Sequence, residues 1–248
     1  MINKIQNRIL AIAGTAVIVT FSACGSNSNE QSKESESSTL PSTVQSAISA
    51  PKSTMSQALK NTLSFMGNEE RLAYDVYNIL SVQYPEAKQL ANIPKSEYKH
   101  ISAVQALVQK YIQSDADFSN VDLPSLEYKN RDIKEMSAGV YDISAIQNLY
   151  DVLYAKGIQS KQDALEVGCM VEVTDINDLN EKLTIAKESG ASDVEAVFEF
   201  LRDGSYNHYW AFDKGLKKAG VRAGCCTLGV IDGVDYCHPE YPQEEKGR

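Results

Sequence analysis

An all-α chain built around a four-helix bundle, with one long crossover and an extra short helix, is the fold class the sequence predicts. Three observations carry this. Residues 56–219 show apolar positions recurring at steps of three and four, with few strand signals. That periodicity is punctuated by helix start and stop residues at four separate places. The 248-residue chain is 43% hydrophobic and 23% charged, an ordinary globular mix that can fill one sizeable core.

The first helix is expected over about 56–83. Its face is Leu59, Leu63, Met66, Glu70, Ala73, Tyr77, Leu80 and Tyr84, and Pro85 ends it. A second helix starts near Pro94, a residue suited to a first turn, and shows Glu97, His100, Ile101, Val104, Leu107, Val108 and Tyr111 on one side. Residues 114–141 are polar and irregular and read as the long crossover. Asp142–Lys156 is the shorter helix, closed by Gly157. Ser160 with Asp163 resembles a capping box, and the helix it opens aligns Leu165, Cys169, Glu172, Ile176, Leu179, Leu183 and Ala186. Gly190 breaks it. Ser192 is expected to cap a last helix carrying Val194, Val197, Phe198, Leu201, Ser205, His208, Phe212, Leu216 and Ala219, with a bend at Gly204. The tail, 220–248, looks irregular.

The N-terminal region has another character. Lys4 and Arg8 precede an apolar stretch, Ile9–Phe21, too short to span a bilayer, and Ser22-Ala23-Cys24 follows. This resembles a bacterial lipobox, which implies removal of residues 1–23 and lipidation of Cys24. The expected location is the cell envelope, with the membrane as a partner through the lipid and the domain outside the cytoplasm. Residues 24–55 are Ser-rich, without an aromatic, and read as a flexible tether. A net charge of −9 and a pI near 4.9 argue against a nucleic-acid partner, which needs a concentrated basic face.

The bundle stripes hold ionisable groups where Leu or Val belongs: Glu70, Glu97, His100, Glu172 and His208. Burying a charge is costly without a partner or a metal, so several on inward faces suggest a shared reason. In Glu97-Tyr98-Lys99-His100 the i,i+3 spacing sets carboxylate and imidazole side by side. Such a unit, repeated across facing helices, builds di-iron and di-manganese sites in bundle cores.

These residues, together with NEERLAYDVY (68–77), KSEYKHISAVQALVQKY (95–111), QDALEVGCMVEVTDINDLNEKL (162–183) and LRDGSYNHYWAF (201–212), resemble the ferritin-like superfamily. More narrowly, they resemble a ferritin-like family of prokaryotic proteins known chiefly as a domain of unknown function. The resemblance spans about 60–215. It implies metal ligation by Glu70, Glu97, His100, Glu172 and His208. It also implies two ions, iron or manganese, with zinc accepting the same donors. The superfamily pattern has Glu three residues before the last His; this chain has Ser205 there, and Asp175 is the proposed substitute carboxylate. Glu69 and Glu166 are the alternatives to Glu70 and Glu172. Tyr74, Tyr77, Tyr98, Tyr206 and Tyr209 read as packing and hydrogen-bonding groups. The implied chemistry is a metal-dependent oxidoreductase of ferroxidase or peroxidase type. The alternative is a non-catalytic metal-binding or envelope interaction lipoprotein.

Four cysteines besides Cys24 remain. Cys169 is expected as a buried thiol, with one disulfide joining Cys237 to Cys225 or Cys226.

Overall fold

The computed structural model describes residues 39–112, 133 and 136–243. The leader, Cys24, the first part of the tether, most of the crossover and the last five residues lie outside them.

Among the described residues the chain is almost wholly helical: α1 Ser42–Ser49, α2 Gln57–Gln83, α3 Lys88–Asn92, α4 Pro94–Ile112, α5 Ser144–Gly157, α6 Lys161–Glu188 and α7 Ser192–Lys218. The long helices begin and end for local reasons. The Ser56 hydroxyl accepts the Leu59 N–H at 3.2 Å, and Ser160 accepts that of Asp163 at 3.0 Å. Gly190 takes φ 66°, the left-handed conformation that closes α6. α7 departs from expectation at its start: Ala191 occupies the cap position and no side chain caps it. The nearby Asp193 carboxylate instead accepts from Ser53 at 2.7 Å and from the Tyr111 hydroxyl and the Lys110 ammonium, both at 2.5 Å. α7 continues through Gly204 to Lys218.

α2 packs on α4, α6 packs on α7, and the two pairs meet through α2 against α6 and α4 against α7. α5 covers α2 and α6. Two apolar clusters fill the interior. One joins Leu72–Leu80 of α2 to Ala164–Val173 of α6 and Tyr209–Leu216 of α7. The other joins Leu59–Met66, Ala103–Tyr111, Leu179–Ala186 and Val194–Leu201. Along α2, α4 and α7 the ionisable stripe residues fall between these two clusters, and on α6 Glu172 lies at the inner end of the first, so they form a polar layer across the bundle.

Two expectations are corrected. The stretch read as tether contains a packed helix: α1 lies on α7 and α4 with Val44 buried and Ile48 one turn on, and these two side chains join the second cluster. Cys169 is not a thiol. It is joined to Cys225, which ties the tail to α6, while Cys226 is joined to Cys237, which closes the tail on itself. That tail is more ordered than its sequence suggests. It has a 3-10 turn at Gly224–Thr227 and a small hairpin pairing Val230 with Asp235. Tyr209 donates to the Tyr236 carbonyl at 3.1 Å, and Trp210 donates to that of Pro242 at 2.9 Å.

A buried guanidinium anchors the far end of the crossover. Arg71 donates to the Ser137 and Val140 carbonyls at 2.7 and 2.8 Å and lies 4.5 Å over the Tyr141 ring. Tyr141 donates in turn to Asp75 at 2.7 Å.

Candidate metal centre

Four helices deliver the polar layer: Glu70 from α2, Glu97 and His100 from α4, Glu172 from α6, and His208 from α7. All are buried; His208, the most accessible, is 7% exposed. His100 Nδ1 lies 3.0 Å from Glu70 Oε2 and 2.9 Å from Glu97 Oε2. His208 Nδ1 lies 3.0 Å from the other Glu97 oxygen and 3.5 Å from Glu172 Oε2. Glu97 therefore stands between two three-residue groups, Glu70–Glu97–His100 and Glu97–Glu172–His208. In each, the donor atoms lie within 4.8 Å of one another. The imidazoles stack at 5.6 Å.

These contacts are close but not all are hydrogen bonds. Glu97 Oε1 and His208 Nδ1 have no aligned partner despite their 3.0 Å approach, and Glu70 Oε1 and His100 Nε2 have none either. Buried polar atoms normally find a partner. Nitrogen and oxygen about 3 Å apart without hydrogen-bond alignment is the spacing of neighbouring ligands on one ion, each about 2.1 Å from it. The donor set of carboxylates and imidazoles therefore fits divalent metals.

Electrostatics point the same way. Burial raises Glu70 to about 7 even against the pull of His100. Burial also raises Glu172. Burial would raise Glu97 as well, but the two imidazoles overcome it and hold Glu97 below the usual carboxylate range. Burial opposes the charged form of His100, yet Glu70 and Glu97 lift it to about 10. His208 is lifted well above its ordinary value by Glu97 and Glu172, against burial. The carboxylates around them thus favour positive charge at both imidazole positions.

The walls of the centre are specific. Tyr77 donates to Glu172 Oε1 at 2.5 Å, fixing that carboxylate from α2. The edge of His100 meets Phe200 at 5.2 Å. Phe200 also lines a surface groove of about 330 Å³ between α1 and α7, with Glu199 and Asp203. His100 Nε2 faces Gly204, where an added Cβ would sit 2.4 Å away. Glycine in a helix interior costs about 0.5–1 kcal/mol, and here it makes room for this close approach.

Asp175 is buried beside this set but belongs to neither three-residue group. Ser205 donates to its Oδ2 at 2.5 Å, and its Oδ1 has no partner. Glu69 is buried one position from Glu70 and faces Asp175 and Asp178. Glu166 is taken elsewhere: it accepts from Lys156 at 2.7 Å and from Gln162 at 2.8 Å.

Comparison with known proteins assigns the family. The sequence model of a family described as an uncharacterized protein domain, DUF2202, matches residues 60–229. The chain belongs to that family. This DUF2202 chain is 34% identical over 172 residues to an uncharacterized protein, MJ0754, of Methanocaldococcus jannaschii, across 69% of this chain and 82% of that protein. It is similar to the crystal structure of hypothetical protein MJ0754 from Methanococcus jannaschii, with a TM-score of 0.57 and 33% identity. That match covers 69% of this chain and 86% of the other. Every residue of the two Glu/His groups falls inside the DUF2202 match. No helix among the described residues is long and apolar enough to cross a membrane.

Proposed function

We propose that this DUF2202 protein is a ferritin-like two-metal protein, tethered to the cell envelope through a lipid on Cys24, that uses iron or manganese in oxygen, peroxide or iron redox chemistry. The observation that carries this reading is Glu97, whose two oxygens approach different imidazoles from opposite ends. A carboxylate so placed is a natural bridge. Glu70 and His100 would complete one ion's set, and Glu172 and His208 the other's. Bound there, a redox-active metal pair supplies the one-electron steps and the oxygen affinity that no side chain of this centre offers.

The residues have distinct tasks. Tyr77 holds Glu172 and presents a hydroxyl proton beside it. The two flanking apolar clusters keep bulk water away. His100 is held between Glu70 and Glu97, with its outer nitrogen against the bare backbone of Gly204. Ser205 holds Asp175 beside the layer through its hydroxyl.

Metal content of the full-length protein, read by elemental mass spectrometry after anaerobic Fe(II) or Mn(II) loading, tests the reading. About two ions per chain that depend on His100 and His208 are expected, and Glu97→Gln should lose both because both depend on that carboxylate. An ion left in Glu97→Gln that is lost on further replacement of His100 or His208 would overturn the bridging role. No metal in the wild-type chain would overturn the metal centre.

A further inference from the structure

One buried carboxylate is left over by this account. Glu69 is 3% exposed, and neither of its oxygens has a hydrogen-bond partner. The groups around it are acidic: Asp175, Asp178 and Glu70, with Asp178 within hydrogen-bond reach. Asp175 carries a second bare oxygen, Oδ1. Asp175 and Asp178 are one turn apart on α6, opposite Glu69 on α2, and the two helices pack together. Asp178 is half-buried, so this acidic cluster reaches solvent at that residue.

From these bare, buried oxygens we propose a further cation site, formed by Glu69, Asp175 and Asp178 beside the two-metal centre and filled from solvent past Asp178. Its donors are all oxygen, without an imidazole, which selects hard divalent cations such as Mn²⁺, Mg²⁺ or Fe²⁺. The three carboxylates are less tightly gathered than the two Glu/His groups. That suits a cation that keeps part of its water shell and takes only a few carboxylate ligands. A proton shared by Glu69 and Asp178 is the competing way to satisfy the pocket. It would leave the second Glu69 oxygen and Asp175 Oδ1 bare. Asp175 also feels Glu70, Glu172 and Glu97, so it stands between the pocket and the centre. A cation held here is one carboxylate away from the Glu/His ligands, which makes the pocket a loading position for the centre. That last role rests on the two-metal reading; the site itself does not.

Mn²⁺ uptake by the full-length protein, followed by equilibrium dialysis and elemental mass spectrometry, tests it. Wild type should reach about three Mn²⁺ per chain at high Mn²⁺, and Glu69→Gln and Asp178→Asn should each stop near two. Asp178 is half-buried, so its variant reports even if Glu69→Gln misfolds. Glu97→Gln should empty the centre and keep the acidic site at about one ion. Unchanged Mn²⁺ stoichiometry in both acidic-site variants would overturn the proposal. A wild type that takes one Mn²⁺, lost in Glu69→Gln and kept in Glu97→Gln, would uphold the acidic site while sinking the two-metal centre.

Discussion

The polar layer and the apolar clusters on either side of it belong to the same four helices, but they are assembled on opposite terms. In the cluster around Leu63, Phe198 and Leu201, those three side chains are fully buried and their neighbours are almost all apolar. In the layer, buried carboxylates crowd together with oxygens that lack partners. The clusters exist for stability. The layer costs stability, because desolvated charge is expensive, and it is tolerable only with cations or protons inside it. A protein that interrupts a continuous core in this way does so for function rather than for folding.

The largest difference should appear on truncation. Phe198→Ala removes a fully buried ring from the second cluster and should cost about 3–5 kcal/mol, lowering Tm by about 10 °C. Its metal content per folded chain should stay at the wild-type level. Glu172→Gln should do the reverse, losing the ion shared with His208 while the metal-free Tm holds or rises. Thermal melts alongside metal analysis check both; a metal-free Tm that falls as far for Glu172→Gln as for Phe198→Ala would erase the distinction.

A finer comparison uses two helical glycines. An added Cβ at Gly168 would lie 2.3 Å from the Phe212 ring, inside the first apolar cluster. At Gly204 it would lie 2.4 Å from His100 Nε2. Gly168→Ala should lose about 1–3 kcal/mol through overpacking and leave the centre alone. Gly204→Ala should lose a similar amount, but it should also displace the imidazole and lose the ion held by Glu70 and His100. Equal metal loss in the two variants would refute the claim that Gly204 acts through His100.

The smallest effect is the pH dependence. Glu70 at about 7 and His100 at about 10 both bind protons more tightly folded than unfolded. Between about pH 4.5 and 10 the native chain therefore holds more protons on these groups than the unfolded one, and stability falls as pH rises. Glu97, held low, contributes oppositely, but only below its ordinary range near pH 4.5. The metal-free protein should thus lose a few degrees of Tm from pH 5 to 9. Metal-loaded protein should show the opposite trend, since ligands must shed protons to bind. Parallel melts with and without chelator read this directly; identical slopes would mean that metal and protons do not compete for the same groups.

How much of this was legible follows from what each signal encodes. Helix positions came from periodicity and caps, which are local, and α2, α6 and α7 lie close to where Pro85, Ser160 and Gly190 placed them. The Glu97-x-x-His100 pair was legible because one helical turn sets it. Ser205 was readable as a departure, but not as the hydroxyl that holds Asp175. The packed helix α1 was hidden by its Ser-rich composition: eight residues with one buried Val are too weak a pattern to stand out. The pairing of Cys169 with Cys225 joins residues 56 apart, and spacing alone leaves such partners open.

The sequence by itself determined that the chain is all-α, that four amphipathic stripes each carry an acid or a histidine, and that those groups would be buried together. Stripes follow from a 3.6-residue repeat, which needs no knowledge of neighbours. Only the tertiary structure decided that one carboxylate, Glu97, is divided between two imidazoles, that Gly204 leaves room for His100, and that Glu69 turns into an acidic pocket rather than toward solvent. Those outcomes depend on how α2, α4, α6 and α7 are rotated and staggered against one another. That stagger is set by the packing of the two apolar clusters, not by the polar residues caught between them.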